Sequence, residues 1–158
     1  MMKYPFILKM LPVGIGIGAL LIFLVVLSVM TLRSQPYPEA VFIGEKMYTL
    51  EIASTKEARA LGLGGRDSLC ETCAMLFSFG VPGKYNFWMK GMRFPLDIAW
   101  LSSDGEVVHI ERHISEKSQE VYRPQIAASL VLEFNAGALD AVRVGDVLQM
   151  TPSQAALP

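Results

Sequence analysis

Charged residues are scarce in this chain and neither sign dominates. Of 158 residues, 18% are charged, and 14 Lys and Arg against 15 Asp and Glu leave a net charge of −1. This balance argues against nucleic acid bound through a broad cationic surface. An apolar fraction of 52% excludes an intrinsically disordered chain, and the length favours a single domain.

Cysteine is equally scarce, since Cys70 and Cys73 are too few for a disulfide-stapled miniprotein. Their C-x-x-C spacing is compatible with a redox site, with half of a zinc site completed by His109 and His113, or with a local disulfide or inert thiols. The redox site lacks a βαβ context, and a strand would hold the two histidines about 13 Å apart. We therefore favour a structural disulfide in an oxidising compartment, with no metal ion and no cofactor.

Signatures of common enzymes are also missing. The chain has no G-x-S-x-G elbow of a serine hydrolase. The stretch 62–65, Gly-Leu-Gly-Gly, has neither the trailing Lys-Ser/Thr of a phosphate loop nor a preceding strand. Nucleotide binding and Ser/His/Asp hydrolysis are therefore not supported.

One long apolar segment is present, Met10–Leu32, and it accounts for much of the mean hydropathy of +0.37. As a helix its 23 uncharged residues would span about 34 Å, which exceeds the roughly 30 Å of a bilayer core. A cleaved signal peptide is the alternative, but its apolar region is about 7–15 residues long and ends in small residues, whereas Met30 is large. We interpret the segment as an uncleaved anchor and the bilayer as its partner.

The residues on either side of this segment indicate its orientation. Lys3 and Lys9 make the 1–9 tail the more basic side, which favours a cytoplasmic amino terminus. The remainder would then be a 33–40 linker, a 41–150 domain and a 151–158 tail on the extracytoplasmic side of the cell membrane. Without those two lysines, 12 basic residues face 15 acidic ones, so the outer part has no attraction for nucleic acid.

Short runs of strand-forming residues fill the 41–150 domain. A hairpin around Gly44 is followed by a short helix, which Ser54 and Glu57 would cap and which ends near Gly62. Together these patterns predict a mainly antiparallel β sandwich or barrel with one or two short helices. The predicted strands are 41–43, 47–53, 75–79, 86–90, 95–101, 106–114, 129–134 and 144–150, with a helical turn at 138–141.

Two features indicate a candidate site. In 87–90, Phe-Trp-Met-Lys, alternation puts Trp88 and Lys90 on one strand face, where they would suit a planar or anionic ligand or a sugar ring. The alternative is a core Trp88 with a snorkelling Lys90.

Asp97 and Glu133 each interrupt an apolar run. Either could be a pocket carboxylate with a shifted pKa, or together they could act on a glycoside.

The alternative for Asp97 is a structural ion pair. Lys90, Arg59 or Arg66 would then supply the cation.

Several motifs occur in a recognisable order: 59–66 Arg-Ala-Leu-Gly-Leu-Gly-Gly-Arg, 75–77 Met-Leu-Phe, 87–90 Phe-Trp-Met-Lys, 95–97 Pro-Leu-Asp, 132–133 Leu-Glu, 135–137 Asn-Ala-Gly and 144–146 Val-Gly-Asp. The series resembles the uncharacterised family called domain of unknown function number 192, over residues 41–150. Ala74, Gly64 and the C-x-x-C depart from its pattern. The resemblance implies a compact, mostly β domain behind a signal or anchor segment, and no established activity. Its polar motif positions are the predicted ligand-binding residues: Arg59, Arg66, Trp88, Lys90, Asp97 and Glu133.

These observations favour a membrane-anchored binding or accessory module for a small polar ligand or glycan, rather than an enzyme. A hydrolase using Asp97 and Glu133, or a structural partner in an envelope complex, are the alternatives. Convergence of the six residues around one concavity would discriminate between them.

Overall fold

Strands dominate the computed structural model, which describes residues 37–151. They form nine short to medium elements with one helix between the second and third. The bounds are β1 (Ala40–Ile43), β2 (Lys46–Ala53), α1 (Lys56–Leu61), β3 (Cys73–Gly83), β4 (Phe87–Trp88), β5 (Leu96–Leu101), β6 (Val107–Ile114), β7 (Val121–Tyr122), β8 (Ala128–Asn135) and β9 (Met150–Thr151).

The predicted 1–9 tail, 10–32 anchor and the first half of the 33–40 linker lie outside the described residues. Nearly all of the 151–158 tail does too. Within residues 37–151, none of the helical structure has the length and apolar character needed to cross a bilayer.

Seven of the strands form one sheet in the order β6-β5-β8-β3-β2-β1-β9. The sheet is curled like half of a barrel. Strands β4 and β7 form a separate two-stranded ribbon. A mainly β fold with mostly antiparallel pairing is confirmed, and of the two predicted architectures the curled main sheet is nearer to a barrel than to a sandwich. Strands β2 and β3 pair in parallel because helix α1 and the loop after it carry the chain back to the starting end of β2.

Local turn signals were accurate to within a residue. The hairpin between β1 and β2 turns at Gly44, whose φ of 60° favours glycine. Helix α1 ends at Gly62 as predicted, but its N-cap is Thr55 rather than Ser54. The Ala58 N–H donates to Thr55 Oγ1 at 3.0 Å, whereas the Ser54 backbone carbonyl accepts from the Arg59 guanidinium.

The predicted strand at 144–150 is wrong for most of its length. The Arg143 N–H donates to the Asp146 carboxylate at 2.8 Å, and Gly145 has a φ of 95°, so the segment begins as a turn. Val144 and Val147 are each 62% exposed. Backbone hydrogen bonds still join the segment to its neighbours, among them those of Gly145 and Asp146 with Val107, and it reaches the sheet as the short β9.

Both faces of the sheet are covered by apolar side chains. Along β5 and β8, successive side chains enter alternate cores, so the two strands are buried on both faces. The first core includes Leu76, Ala99, Leu132, Phe134 and Leu139. The second core includes Leu63, Phe77, Ile98, Trp100 and Val131.

Asp97 lies on the face of β5 that belongs to the first core and is fully buried. Its Oδ1 accepts the His113 N–H at 2.7 Å, and its Oδ2 accepts the Gly137 and Leu139 N–H groups at 2.9 Å each. Backbone donors therefore satisfy this carboxylate in place of the Lys90, Arg59 or Arg66 partner expected from sequence. The carboxylate ties the end of β6 to the turn that follows β8.

Replacing Asp97 by Asn leaves at least one of these N–H groups facing an amide nitrogen that cannot accept. We expect Asp97→Asn to lower the free energy of unfolding by about 3 kcal/mol. Urea denaturation followed by fluorescence of the buried Trp100 measures the change.

Asp140→Asn is the matched control, since Asp140 is an exposed carboxylate paired with His113. Its effect should stay within about 1 kcal/mol. Equal stabilities of the two variants would show that the Asp97 bonds do not hold the fold together.

Candidate functional site

A cleft of about 200 Å³ opens on the face of the sheet that belongs to the second core. Helix α1 and the segment after it form one wall, and the stretch from the end of β3 through β4 forms the other. Its apolar lining includes Leu61, Leu63, Phe77, Phe79, Phe87 and Met92. Its polar and amphipathic lining is Lys56, Arg59, Tyr85, Asn86, Trp88, Lys90 and Glu133.

Glu133 reaches this cleft because of the register of β8. It lies opposite Ile98 of β5 and Met75 of β3, both of which belong to the second core. The residue is only 5% exposed. Its Oε2 is buried and has no hydrogen-bond partner among the residues that the structure describes. A buried polar atom without a partner at the floor of a cleft is the strongest local indication of a binding site.

The surroundings of Glu133 determine its charge. Burial raises the pKa of this carboxyl to about 8, and the positive charge of Arg66 opposes that rise. The Arg66 guanidinium is itself held by Glu51, with contacts of 2.9 Å to the carboxylate. At neutral pH Glu133 is therefore mostly a neutral acid, which can donate a hydrogen bond into the cleft.

Gly62 leaves the space that opens the cleft toward this acid. A Cβ atom at this position would lie 3.6 Å from Glu133 Oε2 and 3.5 Å from Phe77 Cζ. Its φ of 54° also belongs to the region that favours glycine. The residue that ends helix α1 thus places no side chain over the carboxyl group.

Aromatic side chains form the opposite wall. The rings of Phe79 and Tyr85 stack with centroids 3.6 Å apart, and the Arg59 guanidinium lies 5.5 Å from the Phe79 centroid. In the next strand, Phe87 and Met89 are buried, as alternation predicted, whereas Trp88 is 48% exposed. The interpretation of Trp88 as a core residue is therefore wrong.

The six predicted ligand-binding residues divide into three groups. Arg59, Trp88, Lys90 and Glu133 line the cleft. Arg66 acts on it only through its charge.

Asp97 is excluded, since it lies opposite Phe134 and hence on the other face of the sheet from Glu133. The two carboxyl groups do not form an acid–base pair.

Sequence reasoning missed several lining residues. Lys56 brings a further cation to the cleft from the first turn of α1, and Tyr85 and Phe79 bring a stacked aromatic pair. Gly62 was interpreted only as a helix stop. Its distance of 71 residues from Glu133 in the chain leaves no local signal that would connect the two.

The cysteine and histidine pairs have other roles. Cys70 and Cys73 are joined by a disulfide. His109 and His113 lie on strand β6, where each pairs with a carboxylate, Glu111 at 2.9 Å and Asp140 at 2.8 Å. Residues 37–151 contain no group of three side chains arranged to hold a metal ion.

Comparison with known proteins places this geometry among uncharacterised relatives. A model of the family DUF192, described as Uncharacterized ACR, matches residues 40–150. No curated protein matches the chain.

Two solved structures are similar to it. One, from Sinorhizobium meliloti 1021, is described as "a putative transcription regulator"; it is 27% identical with a TM-score of 0.66, covering 75% of this chain and 97% of its own. The other, a protein of unknown function from Novosphingobium aromaticivorans DSM 12444, is 25% identical with a TM-score of 0.65, covering 72% of this chain and 84% of its own.

The raised pKa of Glu133 predicts a pH-dependent stability. Because the folded carboxyl holds its proton up to about pH 8, folding takes up a proton above the usual pKa of 4.5. The stabilisation of the fold that comes from the raised pKa of Glu133 is complete below pH 4.5 and is lost as the pH rises toward 8. At about 1.4 kcal/mol per pKa unit, we expect a loss on the order of a few kcal/mol.

Urea denaturation at several pH values, with wild type compared against Glu133→Gln, isolates this contribution. The difference in unfolding free energy between wild type and Glu133→Gln should change between pH 4.5 and pH 8. Glu71→Gln, which removes an exposed carboxylate paired with Lys46, is the control and should follow the wild-type profile. A wild-type and Glu133→Gln difference that stays constant with pH would contradict the assignment.

Proposed function

Because the chain belongs to the DUF192 family of uncharacterised proteins over residues 40–150, we propose a function from the cleft itself. The domain is a binding module whose cleft holds a small polar ligand or one ring of a glycan. The observation that carries this proposal is the buried, unpartnered carboxyl of Glu133 at the floor of the cleft.

A neutral acid in that position favours a ligand that presents an acceptor oxygen. Leaving the Glu133 hydroxyl unbonded is costly in an apolar setting, so an acceptor that fills the cleft recovers that cost. A ligand lacking an oxygen or nitrogen acceptor at this depth would leave the group unsatisfied. The carboxyl therefore selects for a polar group at the inner end of the ligand.

The walls favour a ring and a negative charge. The half-exposed face of Trp88 offers a flat apolar surface for a sugar or another planar ring. Lys56, Arg59 and Lys90 bring three positive charges to the lining, and Glu133 is largely uncharged there at neutral pH. A ring that carries a carboxylate or phosphate matches both features.

Binding is better supported than hydrolysis by two carboxyl groups. That chemistry needs two carboxyl groups in one cleft, flanking the scissile bond. Asp97 is on the opposite face of the sheet, with its oxygens occupied by backbone N–H groups. Glu133 is the one carboxyl among the described lining residues of the cleft.

Membrane attachment is part of the same proposal. Residues 10–32 would anchor the chain in the cell membrane, and the binding domain would lie on the extracytoplasmic side. The Cys70–Cys73 disulfide supports this location, since such bonds persist in oxidising compartments.

A thermal-shift and tryptophan-fluorescence screen of acidic sugars and other anionic ring compounds tests the binding function. We expect a ligand whose affinity falls about tenfold or more in Trp88→Ala and in Glu133→Leu, because leucine fills the position but cannot donate a hydrogen bond. Lys46→Ala, which removes an exposed lysine outside the cleft, should bind normally. No ligand sensitive to Trp88 and Glu133 in such a screen would count against the proposal.

A pair of glycine variants separates cleft blocking from backbone strain. Gly62→Ala and Gly65→Ala both add a side chain at positive φ, 54° and 80°. Only the first places a methyl group over Glu133 Oε2, because a Cβ atom at Gly65 meets nothing within 4 Å. Ligand binding should be lost in Gly62→Ala alone. Equal losses of binding in the two variants would show that backbone strain, and not blocking of the cleft, causes the loss.

Carbonate extraction of cell membranes tests the anchor. The full chain should remain in the membrane pellet, and deletion of residues 1–32 should release the protein. Release of the intact chain, or a mature protein that begins near residue 33, would overturn the proposed attachment.

A further inference from the structure

A second depression adjoins the cleft. This groove of about 710 Å³ is bordered by Trp88, Met89, Lys90 and Gly91 on one side and by the 116–120 segment on the other. Trp88 and Lys90 line both the cleft and the groove. A ligand seated in the cleft and extending past Trp88 therefore enters the groove.

The volumes of the two depressions set how much of a ligand each can hold. At about 200 Å³ the cleft is smaller than the ~300 Å³ at the lower end of typical ligand sites. With the groove of about 710 Å³, the combined site lies within the usual range of ~300–1,000 Å³. The cleft has room for one small unit, and the groove has room for more.

The groove wall is held in place by short local bonds. Ser118 N–H donates to the Ser115 carbonyl at 2.9 Å, and Ser118 Oγ shares a hydrogen bond of 2.7 Å with the Tyr122 hydroxyl. The Glu120 N–H donates to Ser118 Oγ at 3.2 Å. Tyr122 belongs to β7, which pairs with β4 and so connects the segment to the strand of Trp88. A wall ordered before binding lowers the entropic cost of accepting a ligand.

The two depressions differ in charge. The cleft contains three cations around a neutral acid. In the groove, Glu116 and Glu120 are balanced by Lys117 and by Lys90, which both depressions share. The cleft suits an anionic unit. The groove suits a neutral unit with several hydroxyl or amide groups, which exposed amide and carboxylate side chains can hydrogen-bond.

From this arrangement we infer that the ligand is an oligosaccharide of at least two rings. Its acidic ring occupies the cleft above Glu133, and its neighbouring neutral ring crosses Trp88 into the groove. The inference rests on the proposed binding function and narrows its ligand class. It predicts that affinity depends on chain length, which a site for one small molecule would not show.

Matched sugars test this inference on the full chain in detergent. The single rings are glucuronate, galacturonate, N-acetylmuramate and N-acetylneuraminate, and each is compared with a disaccharide that links it to a neutral hexose or N-acetylhexosamine. For the acid that binds, we expect the disaccharide to bind about tenfold or more tightly than its single ring in isothermal titration calorimetry.

A variant of the groove tests whether the tighter binding of the disaccharide comes from contacts in the groove. The double variant Gln119→Ala/Glu120→Ala changes two exposed side chains, so the fold should be retained. It should remove the advantage of the disaccharide and leave the affinity for the single ring unchanged. Lys46→Ala should preserve both affinities.

The outcomes separate the two proposals. Equal affinities of single ring and disaccharide, with no effect of the groove variant, would overturn the inference and leave the binding function intact. Absence of binding by every acid, single or linked, would count against the acidic-sugar ligand itself, and the inference would fall with it.

Discussion

The position of β8 in the middle of the sheet is the constraint on which the candidate site depends. With β5 on one side, β3 on the other and apolar layers over both faces, Glu133 of β8 is only 5% exposed, and it lines the cleft. A carboxyl on this strand must therefore be satisfied by the protein, by a proton or by a ligand. Glu133 keeps its proton and faces the cleft, so the burial that stabilises the fold also creates the chemistry of the site.

The two carboxyl groups that lie in apolar strands have different surroundings. Asp97 faces the side where the end of β6 and the turn after β8 present backbone N–H groups, and it accepts three of them. Glu133, one pair further along the adjacent strand, faces the side where aromatic rings and a glycine surround it. The first carboxylate organises the fold, and the second is left available to a ligand. A shift of β8 by one position would turn Glu133 to the other face of the sheet and remove it from the cleft.

Several candidate site residues could be predicted from their residue type and spacing. Which of them line the same cleft could not. Trp88 and Lys90 were found from strand alternation, which needs only neighbouring residues. Asp97 and Glu133 looked equivalent, because both are acids inside apolar runs. Only strand pairing decides which face each occupies. Lys56 and Tyr85 carried no distinguishing signal, since an exposed helical lysine and a loop tyrosine are ordinary residues until the fold places them beside Glu133.

The sequence by itself determined the features that depend on near neighbours: the β-rich character, the hairpin at Gly44 and the end of α1 at Gly62. Backbone preference and side-chain alternation act over a few residues, and so they can be identified from a single chain. The tertiary structure alone decided the parallel pairing of β2 with β3, the central place of β8 and the meeting of Gly62 with Glu133. Those contacts join residues far apart in the chain, and they are selected by how the whole apolar surface is buried rather than by local preference.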